Sequence, residues 1–244
     1  MWSAVLWGGI AGSATLLGAL AVLFFSIPKQ LIAYIMALGT GALIGATLYE
    51  LLEDSLQISN IVVISIGFFS GAVIFTLFDY LVTKKGGEKR KHSSRGMKQA
   101  GGAGLAIFFG TIMDALPESA MIGLSLMERH SVSLSLVIAI FISNFPEGLS
   151  STEGLQKSGF ARKHILMMWT SVLLVSALSS LAGASLLVHA TNDIKAGMSA
   201  FAGGGIIAMV ASTMMPEAYK EGGPVVGFFT AIGVFISLTL NHLG

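Results

Sequence analysis

The chain has 244 residues, of which 54% are hydrophobic and only 11% charged, and its mean hydropathy is +0.80. That balance excludes an ordinary soluble domain. Cysteine is absent, which excludes disulfides, thiolate metal sites and cysteine catalysis, while a net charge of +1 says little because the charges are unevenly placed.

Charge and turn punctuation divides the chain into eight apolar segments, at roughly 3–27, 30–52, 58–82, 101–127, 131–155, 164–190, 194–219 and 223–243. Each exceeds or approaches the roughly 20 residues a helix needs to cross a bilayer. No alternating pattern supports strands, so the expected fold is an all-α membrane protein of eight transmembrane helices forming one domain over residues 1–244. The first segment lacks the basic leader of a signal peptide and is read as a retained span.

Basic residues set the orientation. Of fourteen Lys and Arg, twelve follow segments 1, 3, 5 and 7, and only Arg129 and Lys195 follow segments 2, 4 and 6. The positive-inside rule then puts both termini outside and the basic 83–99 loop in the cytoplasm.

The chain repeats itself. DALPESAMIGLSL (114–126) lies over SNFPEGLSSTEGL (143–155) at an offset of 29, proline on proline and glutamate on glutamate. A second pairing sets GTGALIGATLYELLED (39–54) over GGGIIAMVASTMMPEA (203–218) at an offset of 164, matching Gly39 with Gly203, Gly41 with Gly205 and Glu53 with Glu217. The paired segments cross in opposite senses, so a 3+2+3 inverted repeat is expected, with segments 4 and 5 at its centre.

Those two central segments carry the chemistry. Asp114, Glu118 and Glu147 fall near mid-membrane, where an acidic side chain costs roughly 2.5–3.5 kcal/mol. No Lys, Arg or His lies at that depth, leaving a cation or a proton as the partner. Asp114 and Glu118 are one turn apart, and Ser143 and Asn144 share a helical face with Glu147. Pro117 and Pro146 each deprive a carbonyl four residues back of its helical donor, adding oxygen ligands near the acids. Three carboxylates carry −3, so one or two divalent ions nearly neutralise the cluster. The expected metal ligands are Asp114, Glu118, Asn144, Glu147 and Ser143. Glu50 and Glu53 would line an outer approach, and Glu153 and Glu217 an inner one.

At these residues the sequence resembles the ZIP (Zrt/Irt-like) family of divalent metal transporters. SNFPEG (143–148) is similar to that family's H-N-x-P-E-G motif with Ser for His, and DALPES (114–119) has Asp for His, Ala for Asn and Ser for Gly. The resemblance implies eight spans, outside termini, a homodimer and ligands at Asp114, Ala115, Glu118, Ser143, Asn144 and Glu147. Ala115 cannot bind metal, both motif histidines are missing, and segment 6 offers Trp169 and Thr170 where the family often has an acid. The remaining set is all oxygen, which suits Mg²⁺, Ca²⁺ and Mn²⁺ better than Zn²⁺.

The leading expectation is a plasma-membrane carrier moving divalent cations such as zinc, manganese or iron toward the cytoplasm. The ion is substrate, no cofactor is required, the bilayer is the other partner, and no nucleic acid or enzymatic activity is expected. The rival is a transporter-derived binding or signalling module with a protonated carboxyl cluster and no metal flux. An intramembrane hydrolase ranks third, because no second Asp shares the depth of Asp114 and no Ser–His pair is evident.

Overall fold

The computed structural model describes residues 2–84, 100–128, 132–187 and 189–243. Residues 85–99 of the expected basic loop, together with Arg129 and His130, lie outside the described residues. Among the described residues the chain is helical, with no strand.

Helix α1 is Trp2–Phe24, and Pro28 precedes α2, Lys29–Ile58, as a residue that cannot continue a helix from its N-terminal side. Within α2 a π-helical stretch, Thr47–Glu53, interrupts the regular winding. Asn60 opens α3, Ile61–Lys84, by accepting from the Val62 and Val63 amides at 3.0 and 3.1 Å. Helix α4 is Ala100–Glu128. Ser133 caps α5, Leu134–Lys157, by accepting from the Leu136 amide at 3.1 Å. Gly159, at φ +83°, ends α5, and the Phe160 amide reaches back to the Leu155 carbonyl at 3.1 Å.

Helix α6 is Arg162–Leu186. Thr191 caps α7, which runs as Asn192–Met209, a second π stretch Val210–Met214, and Met215–Gly222. Gly223, at φ +65°, and Pro224 close it, and α8 is Val226–Leu243.

Among the described residues, six helical runs are long and apolar enough to cross a membrane: α1, α2, most of α3, α5, α6 and the run Asn192–Leu243. The protein is an integral membrane protein. The last run would be about 78 Å long if straight, against about 30 Å of hydrocarbon. It is divided at Gly223, and its two parts pack on different partners, α7 on α3 and α8 on α2. Eight crossings were expected; α4, which holds Asp114, Pro117 and Glu118, is not among the six runs.

Small residues set the helix pairs. A Cβ at Gly41 would overlap the Thr230 carbonyl of α8, and one at Gly204 the Phe68 carbonyl of α3. On α1, a Cβ at Gly12 would lie 2.6 Å from Ser176 Cβ of α6. Close backbone approach is how helices associate where lipid removes the hydrophobic incentive. The two central helices, α4 and α5, meet each other only over a short stretch; α4 is backed by α6 and α5 by α1 and α2.

Candidate functional site

The sequence-predicted ligands lie on the inner faces of α4 and α5. Asp114 and Glu118 are buried on α4, and Ser143 and Asn144 are buried on α5, with Glu147 half-buried beside them. Local packing explains their placement. A Cβ at Gly148 would overlap the Thr15 carbonyl of α1, so the glycine after Glu147 lets α5 lie directly on α1. In the other motif, Gly123 and Gly183 bring α4 and α6 equally close, at the Ser180 and Ala120 carbonyls.

Glu118 is 1% exposed, and neither carboxylate oxygen has a hydrogen-bond partner. Asp114 and Glu147 lie within electrostatic reach of it, and the Asn144 side chain lies alongside without a bond of good geometry to either oxygen. Glu147 is held differently: the Thr111 hydroxyl, 1% exposed, donates to its Oε1 at 2.7 Å. Thr111 is one turn before Asp114, a hydroxyl the sequence reading passed over. The i, i+3 spacing from an intramembrane acid was its available signal.

Ser143 uses its hydroxyl proton on the Ile140 carbonyl of its own helix at 2.9 Å, and retains only acceptor capacity. The carbonyl that Pro146 deprives of a helical donor belongs to Ile142. It lies against α2, 2.8 Å from where a Cβ on Gly39 would sit, so Gly39 makes room for it. Among the described residues, no three Asp, Glu or His side chains converge closely enough to hold a metal ion unaided. A cation here would therefore draw on amide and hydroxyl oxygens as well as carboxylates.

Ala115 turns away from any ligand role. It belongs to a dry cluster with Ala19, Leu155, Ile165, Val172 and Trp169. Trp169 is fully buried, and its indole N–H donates to the Thr152 hydroxyl at 2.8 Å.

Two cavities flank the acids. One, about 580 Å³ including space open to solvent, lies between α2, α5 and α7 and is lined by Lys29, Met36, Ser150, Glu153, Glu217 and Lys220 among others. Ser150, one turn beyond Glu147, donates to Glu217 Oε1, and Glu153 pairs with Lys157 at 3.1 Å. The other, about 270 Å³, is lined by Glu50, Asp54, Met121, Leu136 and Ser199 among others. Glu50 is buried there, whereas Glu53 is exposed and lines neither cavity. Both inner-approach residues, Glu153 and Glu217, therefore share a cavity, and only one of the two outer-approach residues does. Met121, Leu124 and Leu136, which line the smaller cavity, belong to the principal buried cluster together with Ile122, Val137 and Ile140.

No protein-family model matches the chain. Over 215 residues, 87% of its length, the chain is 23% identical to an Arabidopsis thaliana protein named "Putative zinc transporter". The match covers 34% of that protein, so the chain spans about a third of the relative's length.

Proposed function

We propose that the protein is a carrier of divalent cations, with the ion bound between α4 and α5 by Asp114, Glu118, Asn144 and Glu147. The observation that carries this reading is Glu118. A carboxyl group buried in protein with both oxygens unpartnered costs at least about 1–3 kcal/mol, more if charged. Two further carboxyl groups within reach raise that cost if all are ionised. A divalent cation relieves both penalties at once. The plant relative's name adds metal transport as a class, and zinc as one substrate to try. The oxygen-only donor set favours Mn²⁺ or Mg²⁺ over Zn²⁺.

One ion, not two, fits this chain. The side of α4 that carries Ala115 is sealed by Trp169 and its apolar neighbours, leaving no second set of donors there. Ser143 contributes at most a weak oxygen, its proton being engaged within α5.

Eight crossings in a 3+2+3 inverted repeat suit the packing. Helix α7 lies on α3 as α2 lies on α8, and α4 on α6 as α5 on α1. The register of the outer repeat is one residue from that read in the sequence. Gly204 corresponds to Gly41 and the π stretch from Val210 to that from Thr47, an offset of 163. Rocking of the two three-helix units about α4 and α5 would open the site alternately to the two cavities. Transport toward the cytoplasm, a plasma-membrane location and a homodimer complete the proposal, and these rest on charge bias and resemblance alone.

Among the described residues, the lack of three converging carboxylates or histidines favours one rival, a binding module whose acids are neutralised by protons. Uptake by proteoliposomes separates the two. Mn²⁺, Fe²⁺, Zn²⁺, Cd²⁺ and Mg²⁺ are offered to wild type, Asp114→Ala and Glu147→Ala. The carrier reading predicts uptake of at least one ion, abolished by either substitution. Uptake of none would remove the carrier reading, and uptake indifferent to both substitutions would move the site elsewhere.

A further inference from the structure

Several buried hydroxyls in this bundle spend their proton within their own helix. Thr15 donates to the Gly12 carbonyl at 2.9 Å, Thr40 to Met36 at 2.7 Å and Ser143 to Ile140 at 2.9 Å. This is the ordinary fate of a helical threonine or serine, whose hydroxyl reaches the preceding turn. Thr111 differs, because its hydroxyl crosses from α4 to Glu147 Oε1 on α5 at 2.7 Å. The crossing occurs where the two helices have few other contacts, so it is a direct polar tie between them.

We propose that Thr111 is a positioning residue for the cation site, holding the Glu147 carboxylate in the orientation in which it meets the ion. The proposal rests on the cation-site reading above and adds to it a residue that does not itself touch the ion.

Three physical points support it. A free glutamate loses up to about 1.5–2 kcal/mol of rotamer entropy when it is fixed on a ligand. A bond already made to one oxygen removes part of that loss before the ion arrives. Threonine is β-branched and stiff at χ1, and Thr111 is 1% exposed, so the donor is itself held still. An ionised acceptor makes the bond charge-assisted and stronger than a neutral one. The contrast with Glu118 is instructive. Its oxygens have no hydrogen-bond partner, whereas one oxygen of Glu147 is already held by Thr111. Groups that orient ligands in this way typically change metal affinity by about 10–100-fold when removed.

Affinity of the purified full chain for Mn²⁺ and Cd²⁺, measured by titration calorimetry, tests the assignment. Thr111→Val keeps the branched shape and removes the hydroxyl; Thr111→Ser keeps the hydroxyl and removes the methyl. Thr111→Val is expected to bind about 10–100-fold more weakly, with Thr111→Ser close to wild type. A merely packing role would give the opposite order, because Thr111→Val keeps the branched shape and Thr111→Ser leaves a gap where the methyl was. Wild-type affinity in Thr111→Val, or a loss in Thr111→Ser as large as that in Thr111→Val, would overturn the role of Thr111. Should Thr111→Val not fold, weakened binding by Thr111→Ser alone would overturn it, and wild-type binding would support it. Failure of the wild-type chain to bind either ion would instead remove the cation-site reading itself.

Discussion

Glu118 is the residue on which the energetics turn. Neutralising it by mutation should relieve the burial cost and at the same time abolish the response to cations. Glu118→Gln removes the charge while keeping a side chain of the same shape, and is therefore predicted to raise the unfolding temperature of the ion-free protein. Wild type should gain about 2.7 kcal/mol at a divalent concentration a hundred times its Kd, and Glu118→Gln nothing. Thermal unfolding in detergent with and without Mn²⁺ measures both. Trp169 offers a second prediction at this scale. Trp169→Phe leaves the Thr152 hydroxyl without its donor and should cost about 1–3 kcal/mol, while Trp169→Ala opens a cavity costing about 3–5 kcal/mol. Asp114, Glu118 and Glu147 stand out in the sequence because an acid inside an apolar run is costly wherever the chain folds, and Asn144 because it lies three residues before Glu147 on the same helical face. Thr111 does not, because a lone threonine in such a run ordinarily bonds to its own helix.

Among helices, close approach depends on glycines whose partners are backbone atoms. A methyl group at Gly123 would strike the Ser180 carbonyl, and one at Gly148 the Thr15 carbonyl, and neither obstacle is a flexible side chain. Gly123→Ala and Gly148→Ala should each destabilise by about 1–3 kcal/mol, the usual cost of overpacking. Gly227, on α8, has nothing within 4 Å of an added Cβ, so Gly227→Ala should be neutral or slightly stabilising. Unfolding midpoints of the three variants check this contrast. The sequence shows that segments 2 and 7 are rich in glycine, but not which glycine meets which helix. Gly205 was matched to Gly41, yet its nearest neighbour is 3.9 Å away, and it is Gly204 that packs as Gly41 does. In a helix a one-residue shift turns a side chain by about 100°, so pairing by letters alone can select the wrong face. The π stretches at Thr47–Glu53 and Val210–Met214 have no composition that announces them.

For the whole molecule, the acids lie between a larger cavity reaching Ser150 and a smaller one lined by Glu50, with apolar packing toward the smaller side. This arrangement is the one expected of a carrier open toward its Lys29 and Lys220 end. The natural chain lacks cysteine, so introduced thiols report access without background. Gly154→Cys should react readily with a water-soluble thiol reagent, and Leu136→Cys, 1% exposed in the wild-type residue, should react much more slowly. Equal rates would contradict the asymmetry. The most direct test of the central claim is anomalous diffraction, or the equivalent density in cryo-microscopy, from protein loaded with Mn²⁺. The account predicts one ion between α4 and α5, ligated by oxygens of Asp114, Glu118, Asn144 and Glu147. An ion bound anywhere else, or none bound at saturating Mn²⁺, would contradict it.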